Sequence, residues 1–291
     1  MRYSVKHRST FSYAGKVALS QHHLHLRPRD TAWQKVLDHQ IAVAPNPVIY
    51  QERKDYFDNW AADMTLQEPH ELLAIKASSL VDVQKPAARD ALATPPWEHV
   101  AATLRSAKTP KEVDAQQFVF GSPHVQLGEA ARALALRVMQ PKRPLLDGLV
   151  ALTALIYRDF TYKGGVTDIY TPVGEVIAKR QGVCQDFAHL QIACLRALGL
   201  AARYVSGYLL THPPEGQPRR IGADESHAWV AAWCPPYGWV DADPTNDLLV
   251  ADEHVTLAWG RDYGDVSPIT GFMVGGGAHQ VSVAVDVLPL G

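Results

Sequence analysis

The spacing of apolar residues in the first third of the chain predicts a β-rich domain. Apolar and polar side chains alternate there, and a period of two is typical of strands with one buried face. Turn signals such as Asp58-Asn59 separate the alternating runs. We therefore predict that residues 1–85 form a β-rich N-terminal domain. The alternation is clearest at three places: Tyr3 and Val5, Leu24 and Leu26, and Ile41 and Val43.

The next part of the chain has a different composition, which predicts helices. Residues 86–125 are rich in alanine and proline and contain one predicted helix, from Trp97 to Ala107, so we interpret them as a helical connection. Two further helices are predicted from Ala130 to Met139 and from Leu145 to Tyr157. Near the end of the chain, residues 257–265 are predicted to be irregular.

A fourth helix is predicted between Arg180 and Gly199, with a cysteine at its start. Gly182 and Val183 interrupt the helical pattern, which places Cys184 at or just inside the N-terminus. A thiol at that position faces unpaired N–H groups and the positive end of the helix dipole, which favour the nucleophilic thiolate. The apolar residues that show the three-and-four spacing are Phe187, Leu190, Cys194, Leu195 and Leu198.

A hairpin downstream supplies a base for this cysteine. Residues 227–233 and 239–243 are predicted strands, and the Cys-Pro-Pro-Tyr-Gly sequence between them is a turn signal. His227 and Asp243 should then face each other within a residue or two of register. A nucleophilic cysteine needs a base, and that base needs a group to orient it. Asp241 lies on the same strand face and is the competing carboxylate.

Four blocks in this order closely resemble the transglutaminase-like superfamily, and most strongly its bacterial branch with a separate β-rich N-terminal region. The resemblance implies that Cys184 is the nucleophile, His227 the general base and Asp243 the orienting residue, because the Asp-Pro-Thr motif selects Asp243. The blocks are Gly-Val-Cys184-Gln-Asp-Phe-Ala-His, Ala-Arg203-Tyr-Val-Ser-Gly-Tyr208, Ser-His227-Ala-Trp and Gly-Trp239-Val-Asp-Ala-Asp243-Pro-Thr-Asn.

The resemblance implies an α+β fold. A β-sandwich-like N-terminal domain would precede a papain-like, transglutaminase-like core over residues 126–275, in which the helix bearing the cysteine packs on an antiparallel sheet bearing the histidine and the aspartate. Residues 276–291 contain alternating valines and form a predicted strand. The N-terminal sheet is the candidate partner for that strand.

The implied chemistry is acyl transfer through a thioester, on a protein or peptide that carries a glutamine or another amide group. An amine acceptor would make the protein a transglutaminase, whereas water would make it an amidase or cysteine peptidase. The alternative of another class is a catalytically silent peptide-binding module. The backbone N–H of Cys184 is the expected first oxyanion donor. Tyr162 is a candidate second donor or a core residue, and Trp229 either lines the acyl-group site or belongs to the core.

Other side chains have simpler interpretations. His189 is expected to be a packed, hydrogen-bonded histidine, Cys194 and Cys234 to be structural, and Asp186 to be a helix-dipole partner. Residues 211–222 form a proline-rich loop that we interpret as a substrate rim. A cluster near the N-terminus is expected to be strand-surface histidines rather than a metal site: His22, His23 and His25.

The composition narrows the classes of protein to which the chain can belong. A net charge of −2 over 291 residues, with both signs interspersed, argues against a nucleic-acid-binding surface. No apolar run reaches the length of a membrane span, and the first residues lack a signal-peptide core. Three cysteines do not make a disulfide framework, and no calcium-loop spacing occurs. We therefore expect a cytoplasmic protein without metal or cofactor, and the oligomeric state stays open.

Overall fold

The alternating residues at the start of the chain form one antiparallel sheet in the computed structural model, which describes residues 1–212 and 226–290. The rim loop predicted over residues 211–222 lies outside the described residues from residue 213 onward. The sheet runs in the order β2-β5-β1-β4-β3. Its strands are β1 (Arg2–Leu24), β2 (Gln34–Ala44), β3 (Ile49–Lys54), β4 (Trp60–Leu66) and β5 (His70–Val83).

The middle of the chain is helical, and the predicted helices form within a few residues of their expected bounds. The helix that begins at the cysteine is the most deeply buried, because apolar neighbours cover nearly all of its surface. The helices are α1 (Trp97–Arg105), α2 (Pro110–Gln116), α3 (Glu129–Leu136), α4 (Leu145–Asp159), α5 (Val173–Lys179) and α6 (Cys184–Arg196).

A second antiparallel sheet carries the predicted hairpin, and α6 packs against its central strands β8 and β9. The expectation that residues 257–265 are irregular is wrong up to residue 260, because that stretch belongs to a strand that pairs with β8. A short parallel pair precedes the sheet, formed by β6 (Thr161–Tyr162) and β7 (Gln181–Gly182). The sheet has the order β11-β10-β9-β8-β12, with β8 (Ala202–Leu209), β9 (Ser226–Trp233), β10 (Trp239–Asp243), β11 (Leu248–Leu249) and β12 (His254–Gly260).

The end of the chain returns to the N-terminal sheet. Two further strands, β13 (Ile269–Gly275) and β14 (His279–Pro289), pair antiparallel with successive parts of β1. The return therefore begins at residue 269 rather than at residue 276. It places the last strands of the chain beside the first one and brings the N-terminal sheet against the cysteine-bearing core.

One continuous apolar core joins the two parts of the molecule. It contains residues of α4, α6 and β8 together with Val5 of β1 and Val285 of β14. The N-terminal sheet also curls around a smaller core of its own, made by β1, β4 and β5. The chain thus has an α+β fold in which the helix bearing the cysteine packs on an antiparallel sheet. No helix among the described residues combines the length and the apolar character of a membrane span.

Candidate active site

Cys184 is the first residue of α6, and the backbone before it is fixed by a buried carboxylate. The side chain of Asp186 accepts hydrogen bonds from the Val183 backbone N–H and from the Thr167 hydroxyl, both at 2.7 Å. Gly182 makes room for this carboxylate, because a Cβ there would lie only 2.7 Å from its Oδ2 atom. Asp186 therefore orders the turn that presents Cys184, which is more than the dipole role expected from the sequence.

His227 and Asp243 meet across the β9–β10 hairpin. Trp239 pairs with Trp233, and continuing this register puts Asp243 opposite Trp229, two residues from His227 on the same strand face. Nε2 of His227 donates to Oδ2 of Asp243 at 2.7 Å. Nδ1 is therefore the ring nitrogen left to face Cys184.

The three side chains form one electrostatic unit. Burial lowers the pKa of His227, but its hydrogen bonds to Asp243 and Cys184 and their charges outweigh burial and raise that pKa to about 10. Burial would raise the pKa of Asp243, yet hydrogen bonds, led by those from His227 and His254, hold it below its usual range. A protonated imidazole beside a cysteine sulfur is the environment in which a thiolate is stable.

The competing carboxylate and the predicted acyl-site tryptophan belong to the interior beneath the site. Asp241 accepts a hydrogen bond from Nε1 of Trp229 at 2.9 Å, whereas Asp243 is the carboxylate bonded to His227. Trp229 is completely buried, so of its two predicted roles the structure supports the core residue and not the lining of the acyl-group site. Its ring extends over Gly207, where a Cβ would lie 2.3 Å from Cη2.

A second histidine also donates a hydrogen bond to the Asp243 carboxylate, and the sequence did not predict it. His254, the first residue of β12, is buried, and its Nε2 atom donates to Oδ2 of Asp243 at 3.2 Å. The His254 ring packs edge-on against Trp229 at a centroid distance of 5.2 Å. The amide of Asn246 also donates to Oδ2 of Asp243, at 2.7 Å. Three side chains thus hold the carboxylate that orients His227.

We expect His254→Leu to destabilise the protein by about 1.5–3 kcal/mol, because a buried hydrogen bond to a charged group is lost. It should also move the alkaline limb of the pH profile of Cys184 alkylation to higher pH. The carboxylate of Asp243, with fewer donors, would hold the His227 imidazolium more strongly. His254→Gln, whose side chain keeps an N–H donor, should restore most of both properties. Equal pH profiles for His254→Leu and the unmodified protein would contradict this role.

Two groups are predicted to donate hydrogen bonds to the oxyanion. Cys184, whose backbone N–H is the predicted first donor, is half-buried at the start of α6. Tyr162 pairs with Gly182 in the β6–β7 ladder, and its ring is 51% exposed and 6.4 Å from that of Phe187. It does not line the cavity at Cys184. Its contribution to oxyanion binding stays a prediction.

That cavity has a volume of about 410 Å³, and Cys184 and His227 are among its lining residues. Gln185 and strands of the core form one part of its wall. The N-terminal sheet and the returning strand β14 form another part, through side chains such as Phe11 and Val283. The candidate site is therefore built by both parts of the molecule.

The other histidine and cysteines for which the sequence predicts a structural role are packed in the interior. Nε2 of His189 accepts a hydrogen bond from the Tyr263 backbone at 3.2 Å, which confirms a packed histidine. Cys194 and Cys234 are completely buried, and burial raises the pKa of both thiols to about 12. Cys184 is the partly exposed cysteine among the three.

Buried histidines should make the protein sensitive to acid. Burial lowers the pKa of His189 to about 3 and that of His7 to about 4. Below pH 6.5 the unfolded chain therefore binds protons that the folded chain does not, so the free energy of unfolding falls as the pH drops. Each histidine contributes up to about 1.4 kcal/mol per pH unit. His189→Gln, which keeps an acceptor, should flatten this loss in urea unfolding between pH 7 and pH 4.5; an unchanged slope would contradict it.

Two sets of side chains are possible metal ligands, one at the candidate active site and one near the N-terminus. His227, Asp243 and His254 form the group of three candidate ligands found among residues 1–212 and 226–290, with ligand atoms within 4.8 Å of one another. The hydrogen bonds to Asp243 account for this grouping, and a metal bound there would withdraw His227 from Cys184. At the N-terminus, the expectation of surface histidines is wrong for His22 and His25, which are buried.

Comparison with known proteins gives matches over most of the chain. Residues 3–82 match the family described as bacterial transglutaminase-like N-terminal region, and residues 132–244 match the transglutaminase-like superfamily. The chain is 40% identical to an uncharacterized protein of Mycobacterium tuberculosis, in an alignment that covers 99% of this chain and 93% of that protein. A relative in Mycobacterium leprae is 28% identical over 99% of both chains.

Two further similarities are more limited. A protein-glutamine gamma-glutamyltransferase of Pseudomonas aeruginosa is 39% identical over 77 residues, which cover 26% of this chain and 11% of that protein. The crystal structure of a candidate cysteine protease from Cytophaga hutchinsonii superposes with a TM-score of 0.76 and 23% identity. The superposition covers the whole of this chain and 92% of the other. At that identity the likeness shows the fold.

Proposed function

Because the chain belongs to the transglutaminase-like superfamily, we propose that it is a cysteine enzyme that cleaves a carboxamide and holds the acyl group as a thioester on Cys184. The observation that carries the proposal is the 2.7 Å hydrogen bond between His227 and Asp243 beside the one partly exposed cysteine. A nucleophile, a base and an orienting group in this relation form the minimal apparatus of covalent acyl transfer.

The first half of the reaction forms the thioester. The Cys184 sulfur attacks the carboxamide carbon, and the carbonyl π electrons move to oxygen, where the backbone N–H of Cys184 can stabilise the charge. The carbon–nitrogen bond then breaks while protonated His227 gives its proton to the departing nitrogen. Ammonia leaves if the donor is a glutamine side chain, and an amine leaves if it is a peptide bond. Asp243 keeps His227 oriented throughout.

The second half removes the acyl group. An acceptor, either an amine or water, attacks the thioester carbon and gives a proton to His227, and the carbon–sulfur bond breaks to regenerate the thiolate. The similarity of part of the chain to a protein-glutamine gamma-glutamyltransferase supports a glutamine side chain as the acyl donor. A protein or peptide glutamine, with an amine or water as acceptor, is therefore the substrate class that we propose.

The test is incubation with a glutamine-containing peptide library, with and without a primary amine, read by mass spectrometry. We expect a mass change in the peptides that Cys184→Ala abolishes. Incorporation of the amine identifies a transglutaminase, whereas deamidation or cleavage without incorporation identifies a hydrolase. Cys194→Ala, at a completely buried thiol, is the matched control and should retain the activity per folded molecule. An unmodified library together with an unreactive Cys184 would favour the peptide-binding module instead.

A further inference from the structure

The cavity at Cys184 has a wall that the catalytic core does not provide. Strands β1 and β14 pair there, with Phe11 opposite Val281 and Ser9 opposite Val283. All four side chains line the cavity because residues two apart on a strand point to the same face. The first and last strands of the chain therefore present one continuous surface beside the reactive sulfur.

This surface is apolar, and it continues the core outward. On β14 the alternating valines pass from completely buried, at Val285 and Val287, to about half exposed, at Val281 (50%) and Val283 (53%). The two outer valines thus leave apolar area uncovered in the wall of the cavity. A group of a substrate that covers them would gain free energy from the burial of that area.

Apart from the Cys184–His227 pair, the cavity also lacks formal charge. None of its described lining residues is an aspartate, glutamate, lysine or arginine. The titratable group that β1 contributes to the lining is His7, whose two ring nitrogens are engaged by Ser9 at 2.8 Å and by Tyr208 at 3.0 Å. Burial lowers the pKa of His7 to about 4, so the ring is neutral at pH 7. A charged substrate group placed against strands β1 and β14 would lose its hydration without gaining an opposite charge from that wall.

We propose that the β1–β14 wall is an acyl-donor subsite, which takes an uncharged aliphatic or aromatic side chain adjacent to the carboxamide that Cys184 attacks. The inference rests on the proposed function, since it names the substrate class of the same site. The volume of about 410 Å³ lies toward the small end of ligand cavities, which are about 300–1,000 Å³. A cavity of this size accommodates a short segment of the substrate chain.

A test independent of turnover uses alkylating probes that share one electrophile. N-benzyl iodoacetamide carries an apolar group and N-iodoacetylglycine carries a carboxylate, and each rate of Cys184 alkylation is divided by the rate with iodoacetamide. Cys194 and Cys234 are completely buried, so the reaction reports on Cys184. We expect the benzyl probe to be favoured roughly 10- to 100-fold, the range that apolar contacts in a pocket provide.

Matched variants test whether the preference for the benzyl probe arises at the β1–β14 wall. Val283→Lys should reduce the ratio of benzyl to glycine probe at least tenfold, and Val283→Thr, which keeps the shape of valine, should reduce it less. Val274→Lys is the control, because Val274 is 53% exposed on β13 and does not line the cavity. A ratio near one in the unmodified protein would overturn the proposal, and so would equal losses in Val274→Lys and Val283→Lys.

A second experiment separates failure of the subsite from failure of the proposed function. Glutamine peptides with leucine, phenylalanine, aspartate or lysine beside the glutamine are compared by kcat/KM. Faster modification of the leucine and phenylalanine peptides supports the subsite, and faster modification of the charged peptides overturns it. If no peptide is modified although the probes show the predicted selectivity, the proposed reaction fails while the apolar subsite stands.

Discussion

Asp243→Asn is expected to lower kcat/KM by about 10⁴-fold while leaving the fold intact, the size of effect seen when the orienting carboxylate of a catalytic triad becomes an amide. The physical reason lies in the donors that surround the residue. Oδ2 of Asp243 accepts from His227, His254 and Asn246, and Oδ1 accepts from the Thr245 backbone at 2.9 Å. An asparagine offers one acceptor oxygen and brings an NH₂ group into this ring of donors.

Replacement of the carboxylate by an amide removes the negative charge that raises the pKa of His227. An NH₂ group facing Nε2 also favours loss of the proton there, which leaves a neutral ring whose N–H lies on the nitrogen that faces Cys184. That ring neither stabilises the thiolate as an imidazolium does nor takes a proton from the thiol. The effect should fall on kcat, because the cavity that binds substrate is unchanged. Acyl-enzyme formation in a single-turnover assay measures this step directly.

Asp241→Asn is the matched control for this prediction. Asp241 is also a buried carboxylate on β10, but its hydrogen bond comes from Trp229 at 2.9 Å. Its replacement should reduce stability, because Arg203 loses a nearby negative charge, and should leave the rate per folded molecule close to normal. Equal losses of rate in the two variants, or a loss of less than tenfold in Asp243→Asn, would refute the assigned roles.

The parts of the site that the sequence predicts are those encoded over a short stretch. The apolar spacing after Cys184 and the change of pattern at Gly182 define the start of α6, since a helix is made by contacts three and four residues apart. The hairpin is equally local, because the turn and the length of its strands fix which residues oppose each other. The relation of His227 to Asp243 follows from that register, within the two residues expected.

His254 and the cavity wall depend on contacts that no local pattern records. β12 is buried on both faces, so burial does not alternate along it, and its residues from Leu257 onward were predicted to be irregular. The wall depends on pairing between Phe11 and Val281, which are distant in sequence. The sequence left Trp229 as either an acyl-site or a core residue, because its position is beside His227. Its burial follows from Gly207 on the neighbouring strand, which leaves room for the ring.

Trp229→Ala should cause the largest loss of stability among the substitutions considered. A completely buried tryptophan contributes about 3–5 kcal/mol relative to alanine. Asp241 would also lose the Nε1 donor, and its Oδ1 atom has no hydrogen-bond partner among the described residues. An unsatisfied buried acceptor adds about 1–3 kcal/mol. Together these costs approach the whole free energy of unfolding of an ordinary domain, about 5–15 kcal/mol.

Urea unfolding at pH 7 measures this loss of stability. A second variant separates the contribution of the ring volume from that of the hydrogen bond. Trp229→Phe keeps most of the volume and removes the hydrogen bond, so its midpoint should lie between those of Trp229→Ala and the unmodified protein. Trp97→Ala is the control, because Trp97 is only partly buried and its Nε1 bond to Gln140 lies at the surface. Similar midpoints for Trp229→Ala and Trp97→Ala would contradict the prediction.

The Trp229 ring also supports His227 and His254, whose ring centroids lie 6.1 Å and 5.2 Å from its own. The folded fraction of Trp229→Ala should therefore also show slower alkylation of Cys184.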